Sequence, residues 1–219
     1  MGKEKVSIAE LETKEKYTLI QELDHQDMVP FIMEELQKRN LITHLFVIIN
    51  ISILTAGIIY AIQQQQLGTI SLFSMFLWWI LGAVVGSTLV IPVHELLHGL
   101  VYYLLGAKKV TYGGNLRDFY FYAAADRFVV TEKTIWPLAL TPFLVIGGLC
   151  MWGLQSEWSI GLKCLCWGLL SLHSLNCLGD FGILSYFWSR RTKKLYTYDL
   201  VKEAKSYIYQ EQDTQKTPE

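Results

Sequence analysis

Residues 89–105 read LVIPVHELLHGLVYYLL, an apolar run whose only formally charged residue is Glu95. On a helix, residues four apart share a face, so the spacing sets the His94 and His98 rings side by side with Glu95 next to them. An ionisable residue in an apolar helix is costly unless something compensates it, so these three side chains ask for a partner.

The surroundings of this run fix its environment. Hydrophobic residues make up 52% of the 219 positions and charged residues 18%, against about 25% charged in ordinary soluble domains. Residues 40–107 and 134–189 hold four charges between them: Glu95, Glu157, Lys163 and Asp180. Such sorting predicts an integral membrane protein with one membrane domain. Apolar runs at Leu45–Ile62, Leu72–Leu105, Ile135–Leu154 and Cys164–Trp188 predict four spans. The second is long enough to start in the interface and to kink at Pro92. Lys38 and Arg39, the cluster from Lys108 to Lys133, and Arg190 to Lys194 alternate with linkers at 63–71 and 155–162 that lack Lys and Arg. The positive-inside rule then predicts a multi-pass protein of the cell membrane with both termini cytoplasmic.

The predicted fold class is an all-α membrane protein with a small cytoplasmic β-hairpin or sheet between the second and third spans. The domain reading is an amphipathic arm over 1–42, a transmembrane unit over 43–189 with a strand-like insertion at 108–133, and a polar, partly helical tail over 190–219. In the arm, LIQELDHQDMVPFIMEELQKRN shows helical spacing interrupted by Pro30. Within the insertion, Gly113-Gly114-Asn115 and Asp126-Arg127 separate the strand-like runs. The N-terminus has no apolar h-region, which predicts no cleaved leader, and Val6 departs from the myristoylation pattern that Met1-Gly2 begins. A net charge of −1 and the absence of a basic face give no support for nucleic-acid binding. Cys150, Cys164, Cys166 and Cys177 all lie in apolar stretches and read as buried thiols.

His94-Glu95-Leu-Leu-His98 has the HExxH arrangement, in which two imidazoles ligate one metal ion and the Glu handles a water. A catalytic zinc takes three protein ligands and keeps one position open. Asp180 is the only acidic residue of the last apolar run. It lies ten residues before Arg190, as His98 lies ten before Lys108, which puts both groups roughly 15 Å from the cytoplasmic edge at helical rise. This predicts Asp180 as third ligand, with His173 as the alternative, and Asn176 as either an oxyanion donor or a bond between helices. Gly179 and Gly182 admit either a close helix approach or a local break. His25 and His44 read as solvated or interfacial.

HELLH in one membrane helix, with an Asp near an Asn in a later one, resembles the zincin peptidases of small bacterial membrane proteins and is similar to site-2 protease type intramembrane metallopeptidases. The resemblance covers about residues 73–189. It implies Zn2+ as cofactor, His94, His98 and Asp180 as its ligands, Glu95 as catalytic acid and base, and a membrane-associated polypeptide as substrate. The text around Asp180, Asn176-Cys-Leu-Gly-Asp180-Phe-Gly182, departs from the Asp-Gly motif of site-2 proteases. Phe119–Ala125 is a candidate for pairing with an unwound substrate strand. Two other functions fit the same sequence: a catalytically inactive zinc-binding membrane scaffold, and a metal transporter, which the lack of an internal repeat disfavours.

Overall fold

The computed structural model describes residues 6–13, 15–115 and 120–212. Met1-Gly2 and Phe119 lie outside the described residues. The chain is mostly helical, with a small antiparallel sheet beside the helices.

The short helix α1 (Ile8–Glu12) opens on a capping box between Ser7 and Glu10. It is followed by β1 (Tyr17–Asp24) and α2 (Met28–Gln37), and α2 carries Pro30 in its first turn, where the missing N–H costs nothing. Asn40 caps α3 (Leu41–Gln66) by accepting the Ile42 and Thr43 amides. Next come α4 (Leu72–Ser87) and α5 (Val90–Leu105), which ends at Gly106 in the left-handed conformation (φ 100°). Strands β2 (Thr111–Asn115), β3 (Tyr120–Ala124) and β4 (Val130–Thr131) lead into α6 (Ile135–Gln155). The chain closes with α7 (Ile160–Asn176), α8 (Leu178–Ser189), β5 (Leu195–Leu200) and β6 (Lys205–Glu211).

Helices α3 and α6 are each long and apolar enough to cross a membrane, and the pair α4–α5, bent by 42°, makes a third if it is one broken span. Most of the apolar side chains of α3 are exposed, Ile48, Ile51 and Leu54 among them, as a lipid-facing helix requires. The bend expected at Pro92 falls earlier, at Thr88-Leu89. Pro92 instead sits in the first turn of α5, a position that tolerates it. The run expected as one continuous helix from Cys164 to Trp188 is divided at Cys177 into α7 and α8.

The close packing of α4 on α7 depends on glycine. A Cβ on Gly168 would meet the Trp79 carbonyl oxygen at 1.9 Å, and one on Gly82 the Leu165 carbonyl oxygen at 2.0 Å. Backbone therefore lies against backbone, which is how apolar helices gain dispersion energy where water supplies no driving force.

The four-stranded sheet has the order β1-β6-β5-β4, antiparallel throughout. The first and last strands of the chain are thus hydrogen-bonded neighbours, and the tail expected to be partly helical is a strand pair joined by a 3-10 turn. Alternation explains this. In β4, β5 and β6, Val130, Leu195 and Ile208 face the helical core, while Tyr196, Tyr198 and Tyr209 join Leu11 and Tyr17 on the opposite face. A period of two buries both faces of a strand pair, whereas a helix of this sequence would scatter the tyrosines.

The 108–133 segment is divided between two sheets. β2 and β3 pair as a hairpin with Gly113 opposite Tyr122, so Gly113-Gly114-Asn115 lies inside a strand and does not separate two. β4 joins β5 in the larger sheet. The hairpin docks on α5, where a Cβ on Gly99 would meet the Tyr112 hydroxyl at 1.9 Å.

Candidate metal centre

His94 and His98 project from the same face of α5 into a cavity of about 460 Å³. Asp180 reaches them from the first turn of α8. The break at Cys177 starts a new helix three residues before Asp180, and a Cβ on Gly179 would meet nothing within 4 Å. Gly182, one turn on, meets Ile32 of α2 at what would be 2.7 Å from a Cβ, so it serves close approach.

Three donor atoms converge. His94 Nε2 and His98 Nε2 are 3.0 Å apart, His94 Nε2 is 3.3 Å from Asp180 Oδ2, and His98 Nε2 is 3.2 Å from Asp180 Oδ1. Bond lengths of 2.0–2.1 Å in a tetrahedral site imply ligand atoms about 3.4 Å apart, so this triangle matches one face of a zinc tetrahedron. His94 and His98 lie four residues apart on one helix, and Asp180 comes from a helix more than 80 positions later.

The distal nitrogen of each imidazole is also engaged. His98 Nδ1 donates to the Leu138 carbonyl at 2.9 Å. That carbonyl is available because Pro142, four residues on in α6, has no N–H to occupy it. The His98 tautomer with a lone pair on Nε2 is thereby fixed by a proline on another helix. His94 Nδ1 lies 3.2 Å from His173 Nε2. Donation from His94 to His173 leaves the His94 Nε2 lone pair facing Asp180 and His98. Such second partners orient metal-binding histidines and raise their basicity.

A second grouping shares His94. His173 Nε2 is 3.9 Å from Cys177 Sγ, and His94, His173 and Cys177 have ligand atoms close enough for one ion. His173 lines the cavity but is only 1% exposed, and Cys177 is 0% exposed and lies off the cavity, so this grouping is closed on its Cys177 side. His94, His98 and Asp180 form the other grouping, and all three line the cavity.

The fit to a cation rests on unpaired buried atoms. Asp180 Oδ2, Glu95 Oε2 and His173 Nδ1 are all buried without a hydrogen-bond partner among the described residues. Buried polar atoms are nearly always paired, and Asp180 Oδ2 and Glu95 Oε2, on residues that line the cavity, are atoms that a cation and its water would satisfy. The donor set of two imidazoles and a carboxylate is one that zinc accepts. Glu95 lines the cavity beside the imidazoles, with the Ala123 backbone amide of β3 next to its carboxylate.

Of the other candidates, Asn176 ends α7 and lines the cavity, and His44 is exposed with Nδ1 2.6 Å from the Asn40 carbonyl. His25 departs from expectation: it is half-buried, lines the cavity, and its ring centroid is 5.5 Å from that of Tyr122. The sequence gives no sign of this, because His25 reaches the cavity through a sheet that joins the two ends of the chain.

Residues 87–195 match the model of a family described as putative zincin peptidase. No curated protein and no solved structure matches the chain.

Proposed function

We propose, from the membership of residues 87–195 in the zincin peptidase family, that this chain is a zinc-dependent intramembrane peptidase of the site-2 protease type. The observation that carries the reading is the convergence of His94, His98 and Asp180 within 3.3 Å, with Glu95 beside them in one cavity. The membrane arrangement we propose has four crossings, with α4–α5 and α7–α8 each counted as one broken span, and both termini in the cytoplasm of a cell-membrane protein. The substrate is a membrane-associated polypeptide cut near the cytoplasmic side.

His94, His98 and Asp180 would hold the zinc. When bound, zinc supplies the Lewis acidity that polarises a peptide carbonyl and brings the pKa of a water down to about 7. Glu95 takes the proton of the attacking water on its carboxylate and passes it to the amine nitrogen as the C–N bond breaks. The Asn176 amide donates to the carbonyl oxygen as negative charge develops there. A helical substrate has its carbonyls engaged, so it must unwind. Strand β3, which lines the cavity through Phe121, Tyr122 and Ala123, offers backbone to the unwound segment.

The test uses purified full-length protein loaded with zinc in detergent and a membrane-anchored reporter with an unstructured juxtamembrane segment. Cleavage by wild type and none by Glu95→Gln at equal zinc content is the expected result. Equal activity of the two proteins, or no cleavage of any such reporter by either, contradicts the reading. Proline substitutions at Tyr122 and Ala123 should lower cleavage without loss of zinc, and normal cleavage would remove the strand-pairing step.

A further inference from the structure

The cavity that holds the metal centre has a second polar cluster, on the sheet. Ser206 Oγ of β6 donates to Asp199 Oδ1 of β5 at 2.6 Å, and His25 Nε2 lies 3.3 Å from the same Ser206 oxygen. All three line the cavity that also contains His94, Glu95, His98 and Asp180. The cluster is built from elements far apart in sequence. Asp199 and Ser206 are register partners across β5 and β6, and His25 is tied to the turn between those strands by donating its amide to the Ala204 carbonyl at 2.8 Å.

Charge in the cavity is one-sided. Glu95, Asp180 and Asp199 line it, and no Lys or Arg does among the described residues. The cation nearest along β6, Lys205, is engaged by Glu22 of β1. Arg127 approaches β5 only through its backbone, by donating its amide to the Asp199 carbonyl at 2.9 Å. Glu95 and Asp180 belong to the candidate metal centre, which leaves Asp199 as the cavity carboxylate with no Lys or Arg side chain paired to it among the described residues. Burial raises the Asp199 carboxyl above its ordinary value and Asp126 adds to this, while the Ser206 hydroxyl and His25 pull it back. A cation brought into the cavity relieves that penalty.

We propose that Asp199, positioned by Ser206 and His25, is a recognition subsite for a positively charged group of the substrate: a protonated amine or a guanidinium, on a side chain or at a free amino terminus. The word substrate rests on the peptidase reading above, but the subsite itself rests on the cavity. It makes the protein selective for basic peptides, and it orients a bound peptide between the sheet and the metal centre.

The experiment measures binding, not cleavage. Zinc-loaded full-length protein in detergent is titrated with four dye-labelled hexapeptides of one apolar sequence. One has a lysine and an acetylated amino terminus, one has norleucine and a free terminus, one has both charges and one has neither. Wild type should bind one of the singly charged peptides at least tenfold more tightly than the neutral one, and which one tells side chain from terminus. Asp199→Asn should reduce that preference to less than twofold with zinc content unchanged. His25→Lys, which sets a fixed cation beside Asp199 from a different element, should do the same and covers the case in which Asp199→Asn fails to fold. Equal binding of charged and neutral peptides by wild type, or an unaltered preference in a folded variant, overturns the proposal. Protein that prefers basic peptides yet cuts none sinks the peptidase reading and leaves this site standing. Protein that cuts without charge preference does the reverse.

Discussion

The two sides of the His94 ring keep different company. On the Nε2 side stand His98 and Asp180, which open onto the cavity. On the Nδ1 side stand His173, which touches the cavity wall but is only 1% exposed, and Cys177, which is wholly buried in the helical core away from the cavity. Both sides present ligand types that zinc accepts. What separates them is access: a catalytic ion keeps a position for water and substrate, while a structural one is closed by protein. The difference assigns roles. In the proposed function the open side would hold the ion, and His173 would act as a positioning residue that holds the His94 ring in the right tautomer.

Several substitutions break or sharpen this contrast. His94→Ala does not, since both sides share that ring. The largest effect is expected from His98→Ala and Asp180→Ala, which should remove stoichiometric zinc, read by metal analysis of purified protein. Zinc retained by Asp180→Ala and lost by Cys177→Ala would reverse the assignment. Next comes Glu95→Gln, which should leave zinc in place and lower cleavage by about 10²–10⁴-fold, the range of general acid–base catalysis. His173→Ala should weaken zinc binding by about 10–100-fold, as loss of a second partner does, with activity restored at saturating zinc. Pro142→Ala returns an amide that competes with His98 for the Leu138 carbonyl, so zinc affinity in a chelator competition should fall severalfold, less than with His173→Ala. Cys177→Ala should change affinity least, because its thiol donates to the His173 carbonyl at 3.3 Å and lies no nearer than 3.9 Å to the His173 ring nitrogen.

The site was more legible in the sequence than the sheet. Two histidines four apart announce a shared helix face, and a lone carboxylate in an apolar run announces a partner, so His94, His98 and Asp180 could be named before any fold was known. The apolar runs likewise gave the helices, but not their breaks. Nothing local marks Thr88-Leu89 or Cys177 as the end of a helix; the packing of α4 on α7 and the placement of Asp180 do. The sheet was hidden because its information is long-range. β1 and β6 pair across nearly the whole chain, Tyr17 opposite Glu211. His25 finds Ser206 181 positions away. Pro142 was equally silent: its role appears only once His98 is seen beside the carbonyl it frees.

The most direct test of the central claim is X-ray absorption at the zinc edge on the purified wild-type protein. Zinc held by His94, His98 and Asp180 should show nitrogen and oxygen neighbours at about 2.0–2.2 Å, including two imidazoles, and no sulfur. A sulfur neighbour at about 2.3 Å would place the ion with His173 and Cys177 and contradict that claim.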